Sequence, residues 1–387
     1  MRMLTINSTD ITQIGGINSS IKKVAEELVK RGHECYVLNI NPRNLPGEES
    51  INGVHVIRVK SPVSKQLYWF SPAMARFINR NLGKSLRPDI VHIHEYRSLL
   101  TLEAAYLLKT KRSPFVFSPH YDHLGYNTFT GKHLMNLYKP FGSATFDWAE
   151  RIIVNSEYTE GILGMDFNIR PEKIEVIPHG VDSLESLKDK AGKTENTSIS
   201  LLYVGVLTEK KCVHYIIQAL GELKKRGRQA HLTIIGEGDL EHQLKKLAKT
   251  LVVEDSISWC QPLFGEELRR NFAEADVFLL LSRDESYGLV VAEALAAGTP
   301  CIVTKTTALT EFLTEPGCFG VSYPPDPSEV ADLIVKIHYS DIQVGPFSYK
   351  IRTWDKVAID YEKIYKRVIR QGLAKSSRND SQHNSAT

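Results

Sequence analysis

Two carboxylates with seven residues between them, Glu285 and Glu293, bracket a turn whose chemistry suits an anion flanked by hydroxyl groups. They lie in the stretch Phe278–Thr304, FLLLSRDESYGLVVAEALAAGTPCIVT. This stretch reads as a strand over Phe278–Leu281, a polar loop to Gly288, a helix over Leu289–Ala297 and a strand over Cys301–Thr304. Gly298 and Pro300 supply the helix stop. The helix is apolar nearly all round, so it is expected to be buried. Glu293 interrupts it, and a buried carboxylate needs several donors to offset its desolvation. At the helix start, free backbone N–H groups at Gly288, Leu289 and Val290 and the positive end of the dipole make an anion site, with phosphate its usual guest. Glu285 and Glu293 then offer acceptors for sugar hydroxyls. The plainer account has Glu285 complementing the dipole and Glu293 as a paired core charge. Both carboxylates around one phosphate-ready turn favour binding.

Other polar groups fall where a doubly wound sheet would use them. The expected strand Pro114–Ser118 delivers Pro119-His120-Tyr121-Asp122-His123 to a ligand-facing sheet edge. Gly15-Gly16, between a strand at Met3–Asn7 and a helix at Asn18–Arg31, permits close approach of a ligand to the backbone, but no G-x-G-x-x-G dinucleotide fingerprint is present. His92 and His94 share one side of the strand Asp89–His94; with no further ligand at suitable spacing, a satisfied structural role outweighs metal binding. The five cysteines are scattered without a C-x-x-C pair and read as reduced core thiols, not a zinc site.

A length of 387 residues suits two domains, each with its own core. The pattern is strand–helix alternation twice over, broken by a Lys-, Glu-, Ser- and Gly-rich stretch at positions 183–197 that reads as a linker. The expected organisation is a first Rossmann-like domain over 1–182, the linker, a second over 198–346, a long helix over 347–371, and a polar, disordered tail over 372–387. With 42% hydrophobic and 24% charged residues, the chain has ordinary globular composition. A net charge of +3 is too mild to argue for nucleic acid. No apolar run reaches membrane-spanning length, and Met1-Arg2-Met3-Leu4 enters a strand with no signal-peptide core, so a cytoplasmic protein is expected. SPAMARFINRNLGKSLRP can form a helix bearing Arg76, Arg80, Lys84 and Arg87 after Tyr68-Trp69-Phe70. Such a face suits peripheral contact with the inner face of an anionic membrane, although a solvated helix face is the simpler account.

The run Glu285-Ser286-Tyr287-Gly288-Leu289 through Glu293-Ala294 resembles the E-x7-E signature of family 4 retaining glycosyltransferases. The resemblance covers nearly the whole chain and is strongest from Ile199 to Glu311. It implies the GT-B type: two doubly wound domains facing a cleft, with a C-terminal helix crossing back to the first. It also implies hexose transfer from a nucleoside diphosphate sugar, by default a UDP-sugar, to a hydroxyl of a glycan, lipid or small molecule, with no cofactor and no metal. On this likeness His120 and Glu285 flank the donor sugar, Glu293 takes the ribose hydroxyls, and Gly16, Lys211, Gly288, Leu289 and Val290 belong to the donor site. Hinge closure would bring His120 to the donor. Gly205-Val206-Leu207-Thr208-Glu209-Lys210-Lys211 matches the family's G-R-L…K-G segment, with Val206 in place of Arg and Cys212 in place of Gly. That leaves Lys210 or Arg283 to compensate, or activity weakened. Ser286, Tyr287 and His179 stand where the family usually has Gly, Phe and Asn. A sugar-nucleotide epimerase of the same fold and a degenerate binding subunit remain as alternatives.

Overall fold

The computed structural model of the chain describes residues 1–41, 45–60, 71–121, 129–185 and 198–384, apart from the side chains of 129–137 and 374–384. It divides into two compact units, Met1–Pro178 with Trp354–Thr387, and His179–Thr353.

The first unit is built from β1 (Arg2–Ile6), α1 (Gly16–Lys30), β2 (Glu34–Ile40), β3 (Glu48–Ile51), β4 (Val54–Val59), α2 (Pro72–Asn81), β5 (Ile90–His94), α3 (Leu99–Thr110), β6 (Phe115–Ser118), α4 (Phe129–Trp148), β7 (Arg151–Val154), α5 (Glu157–Phe167) and β8 (Ile174–Val176). Its eight strands run in the order β3-β4-β2-β1-β5-β6-β7-β8. All pairings are parallel except that of β3, an antiparallel edge strand on β4. The second unit holds β9 (Gly180–Val181), β10 (Ile199–Val204), α6 (Val213–Lys225), β11 (Ala230–Ile235), α7 (Glu241–Thr250), β12 (Ile257–Cys260), α8 (Gly265–Glu274), β13 (Val277–Leu280), α9 (Leu289–Ala296), β14 (Cys301–Thr304), β15 (Cys318–Val321), α10 (Pro327–His338) and β16 (Arg352–Thr353). Six of these strands form a parallel sheet ordered β12-β11-β10-β13-β14-β15. α11 (Trp354–Asn384) returns to the first unit.

Parallel strands covered by helices on both faces must be apolar throughout rather than alternating. Val277, Phe278, Leu279 and Leu280 accordingly show no exposed surface. α9 follows the same logic: Val291, Ala292, Ala294 and Leu295 are fully enclosed. Truncating Leu295 to Ala would cost about 2–5 kcal/mol from lost transfer energy and a residual cavity. In each sheet the chain leaves a central strand on one side and returns on the other, β1 between β2 and β5, β10 between β11 and β13. The loops at the carboxyl ends of those strands diverge there and leave a crevice, the usual ligand position in open α/β sheets.

Several expectations shift. The division falls at Pro178–His179, because Gly180 and Val181 pair with Arg352 and Thr353 within the second unit. Most of the expected linker lies outside the described residues. The C-terminal helix begins at Trp354, not position 347, and continues to Asn384 through the expected disordered tail. α2 ends at Asn81, so Lys84 and Arg87 are not on it: Gly83 at φ 83° breaks the helix before a Leu82–Leu86 bridge. Tyr68, Trp69 and Phe70 fall outside the described residues. Missed altogether were β3, read as loop, and the twenty-residue α4.

Candidate functional site

In the second unit the loop after β10 (positions 205–212) and the loop after β13 (positions 281–288) meet at the switch point. Arg283 N donates to Lys210 O at 2.8 Å and locks the two together. Across this seam the Lys211 ammonium binds Glu285 Oε1 in a largely buried ion pair. Glu285 N donates to Thr307 Oγ1 (3.1 Å), and Glu285 O accepts from Ala308 N (3.3 Å), so the turn at Thr307–Thr314 braces the carboxylate from behind.

Gly288 precedes α9 at φ 100°, a left-handed conformation that penalises any side chain; a Cβ there would also lie 2.7 Å from Leu309 Cδ2. No side chain caps α9, leaving the backbone donors of its first turn, including Leu289 and Val290, directed to the crevice end of the helix. Glu293 stands one turn further on, half-buried. Tyr287, 5% exposed, anchors the loop: its hydroxyl donates to Lys350 O (2.8 Å) with His179 O at 3.2 Å, and its ring meets His179 and Phe312 edge-on. A phenylalanine would keep the ring contacts but lose the hydrogen bond. Lys211, Glu285, Gly288, Leu289, Val290 and Glu293 thus gather in one place. Val206, 47% exposed, brings no charge to it.

The first unit's switch point is different in kind. Asn7, Ser8 and Asp10, just past β1, are all buried. Asn7 Nδ2 donates to Asn18 Oδ1 (3.0 Å), and Arg58 from β4 clamps Asp10, whose oxygen also accepts from Thr12 N (2.9 Å). The Arg58 and Thr12 contacts hold the Asp10 carboxyl below its ordinary range against the opposing pull of desolvation. Gly15 has the conformation that calls for glycine, φ 155°, whereas Gly16 opens α1 with free space where a Cβ would stand.

Past β5, Glu95 takes φ 68°, unusual for a residue with a side chain. Its carboxylate accepts from the Ser8 hydroxyl, and burial pushes it up to about 7. His120, past β6 at φ 45°, places Nε2 2.9 Å from His94 Nδ1. Burial lowers His120 to about 4, so it is neutral at neutral pH. His92 has the structural role expected: Nδ1 meets the Tyr365 hydroxyl at 2.8 Å and Nε2 the Ser118 hydroxyl at 2.9 Å. Asp122 and His123 lie outside the described residues. Among those described, no three His, Cys, Asp or Glu side chains group as a metal site, and no helix is long and apolar enough to cross a membrane.

Comparison with known proteins settles the family. Residues 14–183 match the model of "Glycosyltransferase Family 4" and residues 185–341 that of "Glycosyl transferases group 1". The chain belongs to the family 4 glycosyltransferases of the GT-B fold. It is 27% identical over 380 residues to an uncharacterized glycosyltransferase of Methanocaldococcus jannaschii, covering 91% of this chain and 94% of the other. It is 24% identical over 344 residues to alpha-monoglucosyldiacylglycerol synthase of Streptococcus pneumoniae, covering 84% and 75%. An Anabaena protein solved in complex with UDP and glucose has the same fold, with a TM-score of 0.66 at 18% identity over 98% of this chain and 100% of that one.

For this glycosyltransferase, sequence reasoning overlooked Glu95 and Ser8. The available signal was position: Glu95 follows the buried strand DIVHIH and so lands at the same sheet edge as His120. The Lys211–Glu285 pair was equally invisible, because 74 residues separate its members.

Proposed function

We propose that the enzyme transfers a hexose from a nucleoside diphosphate sugar to an acceptor hydroxyl, with retention of configuration and without a metal ion. The observation carrying this reading is the convergence of Lys211, Glu285 and the uncapped α9 terminus at the second unit's switch point. A diphosphate leaving group develops charge as the glycosidic bond breaks; preorganised backbone donors and an ammonium stabilise it more in the transition state than in the ground state. This positive potential does part of the work a divalent cation would otherwise do. Glu293, deeper on α9, accepts from ribose hydroxyls on this reading. Glu285, held by Lys211, orients that ammonium and faces the sugar. Retention follows if the acceptor attacks from the face the phosphate leaves, the phosphate taking its proton.

The acceptor belongs to a lipid, glycan or small molecule. Exposed Arg76 and Arg80 on α2, Tyr106 on α3, and Lys109 set 4.5 Å over the Trp148 ring favour a lipid-linked acceptor at the cytoplasmic membrane face, in keeping with the lipid named for the Streptococcus relative.

A panel of UDP-, GDP- and ADP-hexoses should be incubated with the protein and diacylglycerol-containing vesicles after chelator treatment. Product mass and the anomeric signal in proton NMR then read donor, acceptor and stereochemistry. Strict dependence on added Mg²⁺ or Mn²⁺ would remove metal independence from the reading; an inverted product would remove retention. Turnover of donor with no acceptor at all would favour an epimerase.

A further inference from the structure

Lys211 is not a free cation: Glu285 sits directly on it, and both side chains are mostly buried. A pair of this kind offers an incoming diphosphate much less than a whole positive charge, since the carboxylate repels what the ammonium attracts. The α9 terminus contributes partial charges of about half a unit. A second full cation is needed nearby, and Val206, exposed on the same turn, does not supply it.

Arg283 has the right place. It is the second residue after Leu281 in the loop beyond β13, and its backbone N–H binds Lys210 O, which fixes it against the Lys211 turn. Its guanidinium lies close enough to Cys212 and Tyr323 for its charge to pull both acids down, against the burial that raises them. No carboxylate among the described residues lies within ion-pair distance of it, and Arg283 Nε is buried with no acceptor. The hydroxyl of Ser282, itself fully enclosed, also has no partner among the described residues. A buried N–H left without an acceptor is costly, and in native structures such a group marks a missing partner. Arginine's planar fork matches two phosphate oxygens, whereas a lysine presents a single compact charge.

We infer that Arg283 is the second cation of the diphosphate subsite, its guanidinium taking phosphate oxygens beside Lys211 and the α9 terminus. This assignment rests on the donor reading above. The fork and the ammonium divide the labour: Arg283 holds the diphosphate, while Lys211 stays coupled to Glu285 beside the sugar.

The test is calorimetric titration of the full chain with UDP, GDP, ADP, the matching nucleosides and inorganic pyrophosphate. Arg283→Ala should weaken the preferred nucleoside diphosphate roughly ten- to hundredfold and leave the nucleoside unchanged. It should also flatten the salt dependence of diphosphate binding. Arg283→Lys should recover part of the loss, as should Val206→Arg in the Arg283→Ala background. Arg283→Gln preserves side-chain length if the alanine variant is unstable, and should show the same loss. Equal diphosphate affinity in wild type and Arg283→Gln, or equal losses for nucleoside and diphosphate, would overturn the assignment and leave the guanidinium a structural prop. If wild type binds pyrophosphate in an Arg283-dependent way but none of the nucleotides, the anion subsite stands and the donor reading falls. If it binds none of these probes, both fall.

Discussion

At the second unit's switch point, Lys211, Arg283, Gly288 and the α9 terminus lie around one carboxylate pairing, whereas at the first unit's, Ser8 hydrogen-bonds the half-buried Glu95 and His94 the half-buried His120. Both places arise from the same topology, a central strand whose neighbours are reached in opposite directions. The loops decide the electrostatics. Burial suppresses charge on His120 and protonates Glu95 towards neutral pH, leaving groups that exchange hydrogen bonds with hydroxyls. The cationic loops of the other unit suit phosphates. The contrast can be broken at defined residues.

The largest effect is expected at the cationic site. Lys211→Ala deletes the ammonium and also strands the largely buried Glu285, so turnover should fall roughly a hundredfold or more, at or above the upper end of the ~1.5–3 kcal/mol of one charge-assisted bond. Val206→Arg should restore part of it. If Lys211→Ala keeps most of its transfer rate, the ion pair is structural. Glu285→Ala should likewise lower turnover by about tenfold or more while changing nucleotide affinity less; Glu293→Ala should do the reverse, with Glu293→Gln milder because the amide retains an acceptor. Identical nucleotide titrations for Glu293→Ala and wild type would return Glu293 to a packing role.

His120 sharpens the comparison from the other unit. His120→Ala should reduce turnover roughly tenfold or more, with nucleotide affinity within about twofold. Because His120 stays neutral down to about pH 4, the acid limb of the rate profile should not fall near 6.5, the ordinary histidine value. A limb at 6.5 abolished by His120→Gln would contradict the buried, neutral assignment.

A smaller effect concerns the return of α11. Glu362 binds Lys366, Arg31 (2.7 Å) and His33 (3.2 Å), contacts that lower its carboxyl to about 2. A depressed acid stabilises the fold above its unfolded value near 4.5, and that contribution is lost as pH falls towards 2. Urea melts of wild type and Glu362→Gln should therefore differ by about 1–2 kcal/mol at pH 7 and converge near pH 2. A gap that persists at pH 2 would mean the effect is packing alone.

The smallest is Glu95, where the sign reverses. Its folded-state value is raised to about 7, so the native chain binds the extra proton between about 4.5 and 7 and loses stability as pH rises through that window. Glu95→Gln, neutral throughout, should remove this slope and gain on wild type as pH rises. Parallel stability–pH curves would show that Glu95 is already ionised and that the first unit's site is less neutral than described.

Local chemistry alone was enough for much of this protein. The run of Val277–Leu280, the apolar helix after Gly288 and the glycine–proline stop at Gly298–Pro300 each allow one secondary structure, because hydrophobic period and backbone restriction act within a few residues. Their alternation made two doubly wound units legible, and Glu285, Gly288 and Glu293 could be placed on one turn by counting. The length of α2 also had a local signal in Gly83, but four basic residues at helical spacing masked it. What the sequence could not decide was pairing between distant residues. Lys211 meets Glu285, Arg58 clamps Asp10, Ser8 finds Glu95 and Arg31 finds Glu362 only once sheet order has brought their loops together. The Glu95 and His120 shifts are likewise products of enclosure by residues remote in sequence. Residue type sets what a side chain can do; the dielectric and partners around it, which set its charge, come only with the folded loops.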